Sequence, residues 1–499
     1  MLRFTLGSRS PAQNKAALAG TYLVGSEGVP LRAEFELRDD ILVCAKRADG
    51  PASLATFWQA PGCGAYLLET ARLLDRDKAY CLPLELVRGR LMRIDQKRED
   101  WGLFDYEGFE PLAAELEAAR DRFVQAVKED DPSRQAALAD EALALVLQTG
   151  DRISRFHADI FLARRKQARA FSRGTFGCTL DLANTAEPYR RLLVEAFDFA
   201  ALPIPWRLVE PKQQEHNWRP FDAWIEWLVK NRLPVRIGPL VSFREADLPD
   251  WLGMYETDYE SVRNLIFEHV RRIVERYGNY VQQWEVVSGV HADNTFSFTL
   301  EQLMEITRVS VSLVKQLAPR SQAIIDLLSP WGEYYARNQR TIPPMLYAEM
   351  IAQSGVGFDG LGSRFVFGPP ADGHFLRDMF QISEKLDRLG NFGKPLHITA
   401  LQVPSAAGAE SAGGYWRNAW DENTQALWIR EFCEIALSKP FVESITWVDL
   451  ADRPRTGRIP SGGLVREDMS PKAGYRLLKE VRNALLASAR KPPAASRRA

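Results

Sequence analysis

The sequence predicts an α/β chain built around a (β/α)₈ TIM barrel, preceded by a small β-rich domain and a helical hairpin. Beyond Arg173, short apolar segments ("FGCTLDL", "PVRIGPLVSF", "VQQWEVV", "QAIIDLL", "FDGLGSRF", "PLHITALQV" and "VESITWVDL") alternate with amphipathic helical patterns. Strand and helix in repeated succession make a parallel sheet with both faces covered, and this many units favour closure into a barrel. Two changes of composition upstream, first to alternating β patterns and then to Ala, Leu, Glu and Arg, mark off the units that precede it.

In order along the chain, residues 1–108 read as short strands. "LRAEFELRDDILVCAKR" alternates and turns at Asp39-Asp40, and "YCLPLELVRGRLMRID" is expected to turn near Arg88-Gly89. The pattern suits a sandwich or barrel. Its aromatics, Phe57, Trp58, Tyr66, Tyr80, Trp101 and Tyr106, either fill a small core or form a platform for sugar rings.

Residues 109–170 are rich in strong helix formers, and "EDDPS" supplies a helix stop followed by a Pro start, which predicts a helical hairpin. His157 on its second helix reads as a packing or surface residue. Residues 171–485 form the barrel. Within it, "SVRNLIFEHVRRIVERYG" puts Val262, Leu265, Ile266, Val270, Ile273 and Tyr277 on one stripe ended by Gly278. The basic, Pro/Ala-rich residues 486–499 are expected to be a disordered tail.

At 499 residues the chain is long enough for a large domain plus a smaller one. Its 64 Lys and Arg against 65 Asp and Glu provide no global field for nucleic acid or an anionic membrane, so neither is expected as a partner. The start "MLRFTLGSRSPAQNK" lacks the apolar core of a secretory signal, and no run long enough to span a bilayer follows, which predicts a cytoplasmic protein. The five scattered cysteines and six dispersed histidines show no ligand spacing, so neither a metal nor another cofactor is expected.

Barrel chemistry sits at the C-terminal ends of strands. Four stretches there resemble glycoside hydrolase family 10, the endo-β-1,4-xylanase-type family, over roughly Thr175 to Val481. "WEVVSG" is similar to the family's WDVVNE, "GKPLHITALQV" to its GKPLHITELDV, "FDGLGSR" to its IDGIGLQ, and "WRLVEP" to its W-x-x-x-E-P. "LPDWL", Trp447 in "SITWVD", and "GGLVREDMSPKAGY" add to the likeness.

The resemblance implies a retaining glycosidase in which two Glu, a proton donor and a nucleophile, stand about 5–5.5 Å apart. It lays those positions on Gly289 and Ala400, neither of which can do that chemistry. Sugar-positioning groups of the family are also replaced: Ser288, Ala201, Leu202, Pro205, Gly238, Ser242, Phe243, Arg364 and Gln402 stand at their positions.

The expectation is therefore a non-hydrolysing barrel that binds a β-glycan or glycan-derived ligand through Trp206, Arg236, Arg364, His397, Gln402 and Trp447. Arg364, with Arg236 and His397, would favour an acidic ligand. The alternative for Arg364 is an ion pair with Glu285 or Asp449 that fills the pocket, and Glu285 itself reads as a buried structural carboxylate. Trp206 and Trp447 could likewise be plain core.

A second reading is a hydrolase with relocated carboxylates, for which Glu285, Asp293, Asp326, Asp449 and Asp452 are candidates. A third is a scaffold whose helical hairpin carries a protein partner and whose mouth Phe243 and Phe365 block.

Overall fold

The computed structural model describes residues 1–7, 18–38, 40–171 and 174–489. Its centre is a closed barrel of eight parallel strands: β9 (Phe176–Thr179), β10 (Phe199–Leu202), β11 (Val235–Ile237) continued by β12 (Val241–Ser242), β13 (Val281–Ser288), β14 (Gln322–Leu327), β15 (Gly360–Val366), β16 (Leu396–Gln402) and β18 (Val442–Trp447). The last strand closes the ring by pairing in parallel with the first, Ile445 opposite Phe176 and Trp447 opposite Cys178. The third strand is interrupted at the cis Gly238-Pro239 bond.

The helices between strands start where the sequence supplies caps. Thr299 and Gln302 form a reciprocal capping box, as do Asp378 and Gln381, while Asp258 and Asp421 accept hydrogen bonds from backbone amides of the first turn. On the helix Tyr259–Tyr277 the predicted stripe is buried except for Leu265, which is half-buried. Gly278 caps it in a right-handed conformation (φ −55°), so no left-handed turn is needed there. What requires glycine is space, since a Cβ would lie 2.7 Å from the Val274 carbonyl.

The amino-terminal strands form two sheets, β4 (Ala33–Arg38), β5 (Ile41–Lys46), β1 (Leu2–Thr5) and β8 (Tyr80–Cys81) in one, and β7 (Gly64–Glu69), β6 (Ser53–Ala60), β2 (Tyr22–Val24) and β3 (Pro30–Leu31) in the other. Asp39 of the expected Asp39-Asp40 turn lies outside the described residues; Asp40 is in the left-handed region. The second sheet takes its fifth strand, β17 (Tyr415–Trp416), from the barrel, where Tyr415 pairs with Ala65 and Trp416 with Gly64.

The stretch expected to turn near Arg88-Gly89 is instead part of a helix, Leu82–Asp100. Pro83 opens it, and Leu82, Leu86, Val87, Leu91 and Ile94 are buried at helical spacing. Gly89 is there for close approach, not for a turn: a Cβ would lie 2.5 Å from the backbone of Thr70 and Ala71. A period-2 reading of "YCLPLELV" mistook this short apolar run for a strand.

Two further helices follow, Glu110–Lys128 and Pro132–Gln167, the second begun by Asp131, which accepts from the Arg134 amide at 2.8 Å. His157 is buried, its ring stacked on Trp101 at 4.3 Å. Trp58, Tyr66 and Tyr80 are core residues, so these three form no exposed platform; Phe57, Trp101 and Tyr106 are only partly buried against the core.

The final helix runs Ala473–Ala489, so the chain is still helical past residue 486, where the tail was expected to begin. Residues 490–499 of that expected tail lie outside the described residues. One hydrophobic core runs from Leu2 through the helices into the barrel and on to Leu485. Among the described residues, no helix is long and apolar enough to cross a membrane.

Candidate functional site

The upper half of the barrel interior holds a polar cluster centred on Arg364. Its guanidinium donates to Asp326 on β14, to Glu285 on β13, and to the Ser288 hydroxyl at 2.9 Å. Ser288 donates in turn to Asp326 Oδ2 at 2.7 Å, and the Thr399 hydroxyl of β16 donates to Asp326 Oδ1. Asp326 is fully buried with both oxygens engaged, whereas Arg364 and Glu285 keep 25% and 18% side-chain exposure at the mouth.

Irregular pairing brings these groups together. The register shifts between Glu285 and Val287 and again between Ser363 and Arg364, so Glu285 and Ser288 both reach Arg364 although strict alternation would send them to opposite faces. Gly238 makes room for Glu285, since a Cβ there would lie 2.4 Å from Glu285 Cβ. Burial, with Asp326 close by, pushes the Glu285 carboxyl up to about 7 against the opposing pull of Arg364. Arg364 is held charged by its two carboxylates despite burial.

Gly289 follows directly on β13. It is left-handed (φ +65°), and a Cβ built on it would lie 2.2 Å from Leu328 Cδ1. Ala400 is buried and in register with Arg364 across β15 and β16. Above the cluster, Arg244 forms a two-point ion pair with Asp247, and Arg458 meets His374 Nε2 at 2.8 Å. Asp293 lies among Arg244, Arg458 and Arg364. Its carboxyl is raised by burial, with those cations opposing the rise.

Residues 170–477 match the model of Glycosyl hydrolase family 10. The chain belongs to that family. Endo-1,4-beta-xylanase B of Thermotoga neapolitana is 24% identical over 286 residues, 56% of this chain and 78% of that relative. Beta-1,4-xylanase of Dictyoglomus thermophilum is 27% identical over 95 residues, 19% of this chain and 26% of the relative. Among solved family-10 structures, an endoxylanase from a sugarcane soil metagenome superposes with a TM-score of 0.50 at 16% identity, covering 63% of this chain and 99% of that one. Xylanase 10B of Thermotoga maritima gives 0.49 at 19% identity, covering 65% and 99%.

Within this family-10 barrel the sequence-predicted residues fall into two groups. Arg364 lies at the mouth, as expected, but its charge is already neutralised by Glu285 and Asp326 rather than by Asp449. Gln402 is buried on β16, in register with Val366, and donates to Asp449 Oδ2 at 2.8 Å, and Arg453 also contacts Asp449. Asp452 is tied to Lys472.

Arg236 and His397 do not join Arg364. Both meet Ser444 Oγ, at 2.6 and 2.8 Å, near the start of β18, and Arg236 also donates to the Gly174 carbonyl before β9. They plug the opposite, N-terminal end of the family-10 barrel, because both stand early on their strands. Trp206 and Trp447 are core: Trp206 stacks on His269 at 4.3 Å and donates to Glu210, and Trp447 donates to the Gly462 carbonyl.

Phe243 packs on Phe296 and Phe298, and Phe365 turns to Trp331, Phe367 and Phe432, so neither seals Arg364 and Glu285 from solvent. The mouth residues that sequence reasoning missed, Arg244, Asp247, His374, Arg458 and Thr399, carry no shared spacing and come mostly from loops. Among the described residues, no group of three or more His, Cys, Asp or Glu is arranged to hold a metal ion.

Proposed function

We propose that this family-10 barrel binds a β-glycan or glycan-derived ligand at its mouth and does not hydrolyse it by the two-glutamate retaining route. The observation that carries this reading is the Arg364 guanidinium held between Glu285 and Asp326 and in register with Ala400. A double displacement needs a free carboxylate to attack and a carboxylic acid to protonate the leaving group, about 5–5.5 Å apart. The resemblance lays these roles on Gly289 and Ala400, and the carboxylates nearest to them are committed to a cation. Family membership and a relative named as an endo-1,4-beta-xylanase support a carbohydrate ligand.

The test is calorimetric titration of xylohexaose into the full chain, with chromatography of the same samples. Binding with no shorter oligosaccharides supports the proposal. Turnover lost on mutating an acid at the mouth would overturn it.

A second reading, a hydrolase with relocated groups, is favoured by one pair of observations. Burial raises the carboxyls of both Glu285 and Asp293, the direction a proton donor requires. In that case Asp293→Asn would abolish cleavage of xylohexaose while leaving its binding intact.

A further inference from the structure

One cavity of this protein lies away from the barrel mouth. About 650 Å³ in volume, it lies on the flank, between the second amino-terminal sheet, the helix Leu82–Asp100 and the barrel helix Met379–Gly390. Glu69 of β7, Arg93 of the first helix, and Glu384, Lys385 and Arg388 of the barrel helix all line it, with Trp331. Charged side chains on three separate elements thus converge on one space of ligand size.

None of these five charges is in an ion pair with the described residues. Arg93 and Arg388 donate only to backbone carbonyls, those of Glu69 and Glu27. The Lys385 ammonium lies 5.4 Å from the centre of the Trp331 ring and has no hydrogen-bond partner among the described groups. Elsewhere this chain pairs such groups closely: Arg377 with Glu333 and Arg90 with Asp378, both near the same cavity. Arg388 is exposed, but partly desolvating the other four charges without pairing them is costly, and a ligand that supplies the partners would recover that cost.

The lining narrows the ligand's chemistry. The lining carries five cations, Arg72, Arg93, Lys97, Lys385 and Arg388, against three carboxylates, Glu69, Asp100 and Glu384, and this excess calls for an anionic group on the ligand, met by Lys385, Arg388 and Arg93. Glu69 and Glu384 can accept hydrogen bonds only from donors, which hydroxyls provide. The Trp331 indole offers a flat apolar surface of the kind a sugar ring lies against. Burial, with Arg388 and Arg377 nearby, holds the Lys385 amine down to about 7, and burial holds the Glu384 carboxyl up against the pull of Arg93, Arg90 and Lys97.

We propose that this flank cavity is a binding site for an anionic saccharide, a uronic acid or a sugar phosphate, whose acidic group is received by Lys385 and Arg388 and whose hydroxyls are received by Glu69 and Glu384. The site is separate from the barrel mouth, and the proposal does not depend on what the mouth binds.

The test uses the full chain, titrated by calorimetry with glucuronic acid, glucose 6-phosphate, inorganic phosphate and xylobiose. One of the two sugar acids should bind at one equivalent, and which one binds tells uronate from phosphate. Lys385→Met and Arg388→Gln should each weaken that binding about tenfold or more. In parallel, the bound sugar acid should protect Lys385 of the unmutated protein from acetylation, read by mass spectrometry, so a variant that fails to fold leaves the proposal testable. Failure of both sugar acids to bind overturns it. So does inorganic phosphate binding as tightly as glucose 6-phosphate, xylobiose competing for the same site, or acetylation of Lys385 that no sugar acid slows.

Discussion

Arg364 on β15 and Glu285 on β13 form an ion pair that reaches across the intervening strand β14, whose Asp326 accepts a second hydrogen bond from the same guanidinium. One cation therefore ties three adjacent strands together. Removing it leaves two carboxylates facing each other in a partly desolvated barrel, and breaking a buried pair from one side costs about 3–5 kcal/mol. Because Arg364 is one-quarter exposed, the lower end of that range applies. Arg364→Met should lower stability by about 3 kcal/mol in urea unfolding, and combining it with Glu285→Gln should recover part of the loss.

Placing a carboxylate at position 289 should not produce a retaining glycosidase. The backbone there is left-handed, which costs a non-glycine residue about 1–3 kcal/mol, and Leu328 already fills the space of a Cβ. Gly289→Glu should destabilise the chain by about 2 kcal/mol or more. The double variant with Ala400→Glu should show no release of xylose products from xylohexaose. Turnover by that double variant would mean that the neighbouring Arg364 cluster tolerates the chemistry after all.

The barrel and its helices were legible because strand and helix periods repeat along the chain, and the amphipathic stripe from Val262 to Tyr277 places its own core. The helix Leu82–Asp100 was not, because its glycine serves close packing against Thr70 and Ala71, and nothing local in the sequence tells that use from a turn. At the site, the sequence offered an ion pair of Arg364 with Glu285 or Asp449 as one alternative, and Asp326 only as a separate strand-end acid. Their union depends on two register shifts, which a strict period of two cannot reveal. Arg236 and His397 were assigned to the mouth by residue type, although both stand near the start of their strands and so belong to its opposite end.

Stability should fall on the acid side. Burial depresses His157, His269, His291 and His397 to about 3, so between about pH 6.5 and 3 the unfolded chain takes up protons that the folded one refuses. Each contributes at most about 1.4 kcal/mol of lost stability per pH unit in that window. Glu285 acts in the opposite sense: its carboxyl, raised to about 7, makes the folded chain the better proton binder above about pH 4.5, so stability falls as pH rises from there to 7. The carboxyls of Asp151, Asp293, Glu384, Glu434, Asp449 and Asp452, also raised by burial, oppose the histidines in the same sense as Glu285. Relative to the unmutated chain, Glu285→Gln, which removes one opposing contribution, should make the drop in urea midpoint from pH 6.5 to 4.5 steeper. His397→Gln should make it shallower by one group's share.

The amino-terminal sheets and the barrel should unfold together. Arg90 of the helix Leu82–Asp100 makes a two-point ion pair with Asp378, the cap of a barrel helix, and both are almost wholly buried. Arg377 reaches the other way, donating to the Leu67 carbonyl and the Tyr22 hydroxyl of the amino-terminal sheet while paired with Glu333. Strand β17 adds main-chain hydrogen bonds from the barrel to that same sheet. A fragment of residues 170–477 would expose the apolar surface these contacts cover, leave Asp378 without Arg90, and leave Arg377 without Tyr22 and the Leu67 carbonyl, with only Glu333 still paired to it. It should therefore be insoluble or melt well below the full chain. In the full chain, Arg90→Met should cost about 3–5 kcal/mol, the figure for a fully buried pair broken from one side. Calorimetry of the full chain should show one cooperative transition, shifted down as a whole by that substitution. Two separate transitions, only one of which moves, would mean that the two parts fold independently.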